Sequence, residues 1–172
     1  MYVKTKQNMK FNNETIREAV NKWLLNEESA ETKYGHISNW DTSEVTDMNE
    51  LFMSPLRFEF NQPIGNWDVS NVTNMVGLFK GAGGFNQPLN NWVVSSVTDM
   101  SEMFSRASAF NQPIGSWDVS NVTNMVRLFK SAGSFNQPLN NWDVSNVTDM
   151  SFMFDYAASF NQPLGEDRKS VV

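Results

Sequence analysis

Cysteine is absent from the 172 residues and histidine occurs once, at His36. The first absence excludes disulfides, thiolate metal sites and a cysteine nucleophile, and it leaves the redox compartment open. The second strips the chain of acid–base inventory. With no H-E-x-x-H and no Gly-rich phosphate loop either, neither an enzyme nor a cofactor nor a metal centre is expected. His36, beside Tyr34 and Gly35, reads as a turn or cap residue. Positive charge is also scarce: 13 basic residues stand against 19 acidic ones, for a net charge of −6. A phosphate-binding footprint is missing, so nucleic acid is not an expected partner. No stretch approaches the ~20 apolar residues of a membrane span, so no membrane insertion is expected. The opening Met-Tyr-Val-Lys-Thr-Lys has charge without a following apolar run, which reads as no export signal and a cytoplasmic chain if the sequence is complete.

What the sequence has in abundance is itself. Four copies of one 25-residue unit run from 60 to 84, 85 to 109, 110 to 134 and 135 to 159 without insertion or deletion. Phe60, Phe85, Phe110 and Phe135 open them, and Trp67, Trp92, Trp117 and Trp142 recur in step. A divergent copy, 35 to 59, precedes them, with Thr42 where later copies carry Val. A partial copy begins at Phe160, where the Trp position has become Asp167 and the Val position Lys169. The repeat region thus spans 35 to 165, after an N-terminal segment, 1 to 34, and before a polar tail, 166 to 172. In the N-terminal segment Asn13 can cap a helix whose Ile16, Ala19, Val20, Trp23 and Leu24 form one stripe, with Gly35 as terminator. Such a helix would cover the open end of a stack. Copies one and three resemble each other more than their neighbours, as do two and four, so a duplicated pair of units is the expected origin.

Within a copy, the step from Trp67 to Val69 is strand-like, while Val72, Met75, Leu78, Phe79 and Ala82 advance by threes and fours. The spacing predicts one strand, a turn and one short helix per copy, an α/β repeat wound as a right-handed solenoid. Stacking would align equivalent residues about 4.8 Å apart. Columns of Phe and Trp would form the core, and Asn61, Asn86, Asn111, Asn136 and Asn161 a column bonding neighbouring backbone.

These residues carry a resemblance. Ile-x-x-Trp-x-Val-Ser-Asn followed by the helical segment resembles a leucine-rich repeat. More closely, Phe-Asn-Gln-Pro-Ile-x-x-Trp-Asp-Val-Ser-Asn-Val-Thr-x-Met resembles the BspA-type repeat of bacterial surface proteins, over roughly 35 to 165. The resemblance implies a leucine-rich-repeat-like fold, a habit of protein binding or adhesion, and a cell-surface or secreted location.

Residues alternating with Trp67 and Val69 must point outward. They form the expected ligand-binding strand face: Asn66, Asn91, Ser116 and Asn141 in one column, and Asp68, Val93, Asp118 and Asp143 in the next. Stacked carboxylates repel, and hydrogen bonds from the following turn, a bound cation or a basic partner could each offset this. Val93 interrupts the acidic column and marks the centre of the patch. At variable helix positions, Phe152 and Tyr156 form an exposed aromatic pair, readable as a dimer contact, a docking site or ordinary surface. The Thr column from Thr46 to Thr148 reads as helix caps rather than an ice-binding face. The expected function is a protein-interaction or adhesion module with a protein partner. The alternative is a structural protein self-assembling through its open C-terminal end, for instance as a homodimer; a carbohydrate-binding face of Asn and Asp columns is weaker.

Overall fold

The structure, a computed structural model, describes residues 9–53 and 60–163. The N-terminal helix starts from Asn12 rather than Asn13. The Asn12 side chain accepts from the backbone N–H groups of Glu14 and Thr15, and the Thr15 hydroxyl accepts from the Asn12 N–H, closing a reciprocal cap. Helix α1 (Asn13–Leu25) buries Ile16, Ala19, Val20 and Trp23. Asn26 ends α1 and at once caps α2 (Glu27–Tyr34), which stops at Gly35 with φ 78°.

Asn13 has a different job from the one expected of it. Its side-chain oxygen accepts from Thr46 N–H at 2.8 Å and Asp47 N–H at 3.1 Å, and its amide donates to the Thr46 hydroxyl at 2.9 Å. Arg17 donates to the Asn49 carbonyl at 2.6 Å. The outward polar edge of the divergent copy therefore ends on α1.

The repeats correct the expected architecture. Among the described residues there is no strand and no helix after Tyr34, only a short 3₁₀ turn (Ile37–Asn39) and isolated parallel bridges, one from Lys10 to Asp41 and the others linking Asp47, Asn74, Asp99, Asn124 and Asp149 in series. A strand-plus-helix unit, and with it a leucine-rich-repeat-like right-handed solenoid, is not what forms. Each copy is instead a chain of turns closed over three residues. In the first, backbone N–H groups of Trp67, Val72, Leu78, Ala82 and Phe85 donate to the carbonyls of Ile64, Val69, Met75, Phe79 and Ala82. Each of these five turns begins and ends on a core residue, and the residues between, Gly77 excepted, are exposed or half-buried. Apolar spacings of three and four arise from these turns as readily as from a helix. The feature that separates the two is glycine: Gly77 has φ 58° and Gly81 φ 75°, the left-handed region, at the third positions of the turns ending on Leu78 and Ala82, and glycine is costly inside helices.

Turns satisfy only part of the backbone. The alternate N–H groups of Met75, Gly77, Phe79 and Gly81 donate to the carbonyls of Asp99, Ser101, Met103 and Ser105 in the next coil, at 2.8–3.0 Å. The same bonds repeat coil after coil, so successive copies lie directly upon one another.

Side chains follow that alignment. Phe52, Phe79, Phe104, Phe129 and Phe154 stack with ring centroids 5.5–5.7 Å apart. The column from Phe60 to Phe160 stacks at 5.8–6.1 Å. The two columns touch within every coil at 3.9–4.1 Å. The indole N–H groups of Trp67, Trp92, Trp117 and Trp142 each reach back to a carbonyl of the preceding coil, as Trp117 does to Leu89 at 3.1 Å. Asn111 accepts from the Asn136 N–H at 2.9 Å and from the Gln137 amide at 3.0 Å, a ladder repeated along the Asn-Gln pairs. Threonine hydroxyls donate to the carbonyl of the preceding Thr, not to a helix start. Thr42, fully buried, uses its hydroxyl on the Asp68 carbonyl. Residues 54–59 of the divergent copy, the partial copy beyond Pro163 with Asp167 and Lys169, and the tail 166–172 lie outside the described residues.

Such direct stacking limits bulk where coils touch. A Cβ added at Gly65 would stand 2.6 Å from the Pro88 carbonyl oxygen, whereas one at Gly133 meets nothing within 4 Å. Gly65→Ala is expected to lower unfolding stability by about 1–3 kcal/mol, with Gly133→Ala neutral or slightly stabilising. Denaturant melts of the two variants check this.

Candidate binding face

Asn66, Asn91, Ser116 and Asn141 each occupy the third position of the turn that ends on a Trp, and all are exposed. Asp68, Val93, Asp118 and Asp143 join that turn to the next and are exposed too. The face foreseen from the sequence is therefore brought together on one side of the stack, but by turns rather than strands. Alternation of outward and inward residues from Asn66 to Val69 survives because Trp67 and Val69 still bound adjacent turns.

Each carboxylate in the column is held by the residue two positions on. Asp68 accepts from the Ser70 hydroxyl at 2.6 Å and its N–H at 3.0 Å, and Asp118 does the same with Ser120 at 2.6 and 3.1 Å. Asp143 accepts from the Ser145 N–H at 3.0 Å. Local hydrogen bonds thus supply an offset to the stacked charge. The Ser120 hydroxyl, and then its N–H, hold the Asp118 carboxyl below its ordinary 3.8, against desolvation and the like charge of Asp143. Ser43 lowers Asp41 likewise, and Ser151 lowers Asp149. Among the described residues no group of three or more His, Cys, Asp and Glu side chains is placed to hold a metal ion. His36 caps the 3₁₀ turn, accepting from the Ser38 N–H at 3.3 Å.

Val93 has no such bond to make. It stands between Asp68 and Asp118 in the stack and is 56 % exposed.

Beside the face lies a shallow depression of about 340 Å³, lined by Asn90, Pro113, Ser116, Pro138, Asn140 and Asn141 among others. Sequence reasoning missed Asn90 and Asn140; the sign was the alternation of Gly65 and Gly115 with Asn at the same position in the intervening copies. It missed a second column as well: Asp47, Asn74, Asp99, Asn124 and Asp149 alternate acid with amide, and the Asn124 amide donates to Asp99 at 3.0 Å.

Phe152 and Tyr156 sit elsewhere, at the third positions of two other turns and not on a helix, with φ 59° and 56°. They are 60 % and 78 % exposed, and Arg127 and Lys130 lie 5.6 and 5.7 Å from the Phe152 ring centre. Charges alternate nearby: Glu102 pairs with Lys80 of the coil before and Arg127 of the coil after, and Lys130 pairs with Asp155. Among the described residues no helix is long and apolar enough to cross a membrane.

Stacked 25-residue coils closed by turns, with identical polar positions set in columns, define a tandem-repeat protein. The model of the family described as "Mycoplasma protein of unknown function, DUF285" matches residues 7–119 and, overlapping, 90–172, and the chain belongs to that family. No curated protein and no solved structure matches it.

Asp118, Asp41 and Asp149 have depressed folded-state values, so they favour the folded chain above pH 3.8 and lose that contribution as pH falls through their lower values. A carboxyl-detected NMR titration is expected to place Asp118 below 3.8, and Ser120→Ala to move it upward.

Proposed function

We propose that this chain is a non-enzymatic protein-interaction module of the adhesive kind, whose partner docks across Asn66, Asp68, Asn91, Val93, Ser116, Asp118, Asn141 and Asp143. The observation that carries this is Val93. Its equivalents are carboxylates tied into their own turns, and nothing in the stacking calls for an apolar residue there. An exposed apolar point flanked above and below by Asp68 and Asp118 suits a partner that buries one aliphatic or aromatic side chain between two donors. Repeated amides and hydroxyls on either side supply adaptable hydrogen bonding. The likeness of the repeat to BspA-type surface proteins supports adhesion at a cell surface.

Selection of binders from a displayed random-peptide library against the intact chain tests the reading. Binders are expected to lose at least about tenfold in affinity, or 1.4 kcal/mol, on Val93→Asp. Binders indifferent to that change and to Asp118→Asn would overturn it.

A second reading, self-association, is favoured by the exposed Phe152 and Tyr156. On that reading light scattering would show a dimer in the intact chain that dissolves on joint Phe152→Ser and Tyr156→Ser substitution. A monomer at all concentrations removes it.

A further inference from the structure

The last fully described coil ends in a row of donors with no acceptor among the described residues. In each of the three regular coils before it the N–H groups at four alternate positions bond the coil that follows, as Met100, Glu102, Phe104 and Arg106 bond the carbonyls of Asn124, Val126, Leu128 and Lys130. Their counterparts Met150, Phe152, Phe154 and Tyr156 find no acceptor among the described residues. Beneath this row the apolar layer is open. Val144, Val147, Met150, Met153, Phe154 and Phe160 are only partly buried, where their equivalents one coil earlier are 0–1 % exposed.

We infer that this edge is a docking site for an extended polypeptide that presents backbone carbonyls at alternate residues and apolar side chains toward the stack, in the form of a further coil of the same repeat. Edge pairing of this kind is a recognised mode of peptide capture. Hydrogen-bond polarity decides against a second copy of this chain. Tail-to-tail pairing sets one row of N–H groups against another. Head-to-tail pairing needs the opposite edge, where Asn13 occupies the N–H groups of Thr46 and Asp47 and Arg17 occupies the Asn49 carbonyl. Charge decides which coil fits. The edge carries Asp149 and Asp155, and the equivalent acidic coil, 85 to 109, is followed by one that places Asn124 on Asp99 and Arg127 on Glu102. An incoming coil with an amide at the position of Asn124 reproduces the first contact on Asp149; Phe152 stands where Glu102 does, so cations of that coil meet the acidic edge of Asp149 and Asp155 rather than a repeated ion pair, whereas a coil of the acidic kind sets Asp against Asp.

The test uses the intact chain and two synthetic peptides, one with the sequence of residues 122–134 and one with that of 147–159. Residue-resolved amide exchange is followed by NMR, with light scattering in parallel. The 122–134 peptide is expected to slow exchange at Met150, Phe152, Phe154 and Tyr156 by at least about tenfold, and the acidic 147–159 peptide to do distinctly less. Three results would overturn the inference. The four amides are already as protected as Met100, Glu102, Phe104 and Arg106 in a monomer without peptide, in which case residues 164–172 cover the edge. Protection rises with protein concentration together with a dimer, in which case the occupant is a second copy. Saturating peptide leaves all four unprotected.

Discussion

Everything in the repeat region depends on one requirement: half of the backbone N–H groups along the chain of turns can be satisfied only by the next coil. A helix closes its own hydrogen bonds and tolerates a neighbour of any length. A coil built from three-residue turns does not, because Met75, Gly77, Phe79 and Gly81 must meet Asp99, Ser101, Met103 and Ser105 in register. An inserted residue would shift every later donor off its acceptor and bury it unpaired, at about 1–3 kcal/mol each. That is why 25 residues recur without insertion from 60 to 159. It is also why Asn61 and its equivalents are asparagine, since a short amide is what reaches the N–H of the same residue one coil on.

The same requirement explains what could be read from the sequence and what could not. The aromatic columns followed from exact spacing, because identical residues at equal intervals must align in any stack. The outward positions followed from local alternation about Trp67 and Val69. Secondary structure did not follow, since Val72, Met75, Leu78, Phe79 and Ala82 bound turns here and would line one side of a helix with the same numbers. Gly77 and Gly81 were the discriminating signal, but later copies blur it by putting Glu102, Arg106, Arg127, Ser131, Phe152 and Tyr156 in the same left-handed conformation, with φ 54–61°. Each such residue costs on the order of 1 kcal/mol, which the stack absorbs because its neighbours fix the turn. Asn12 and Asn13 were confused for a related reason. Both are good caps, and only the position of the first coil shows that Asn13 is needed to receive Thr46 and Asp47.

The two-copy period has an electrostatic reading. Stacking one coil upon its identical twin would set like charges at coil spacing along several columns. Alternating Asp with Asn from Asp47 to Asp149, and acid with base through Lys80, Glu102 and Arg127, turns repulsion into hydrogen bonds and ion pairs. The acidic column of the candidate face lacks that alternation. There each Asp is quieted from within its own turn by Ser70, Ser120 or Ser145, so its neighbour in the stack is released from any compensating role.

That release is what makes the face a place where function can be written. Core, ladder and alternating columns each tie a residue to its equivalents above and below, and a change in one coil is felt in two others. At Asp68, Asp118 and Asp143 the holding bonds are made two residues away in the same coil, so one copy can carry Val93 in place of the acid without removing a bond from the coils beside it. The N-terminal and C-terminal edges show the converse. Their groups have a partner on one side only, so something must meet them. At the N-terminal edge α1 does so with Asn13 and Arg17. At the other edge a row of N–H groups without an acceptor among the described residues lies over a half-open apolar layer, and a row of carbonyls would answer it.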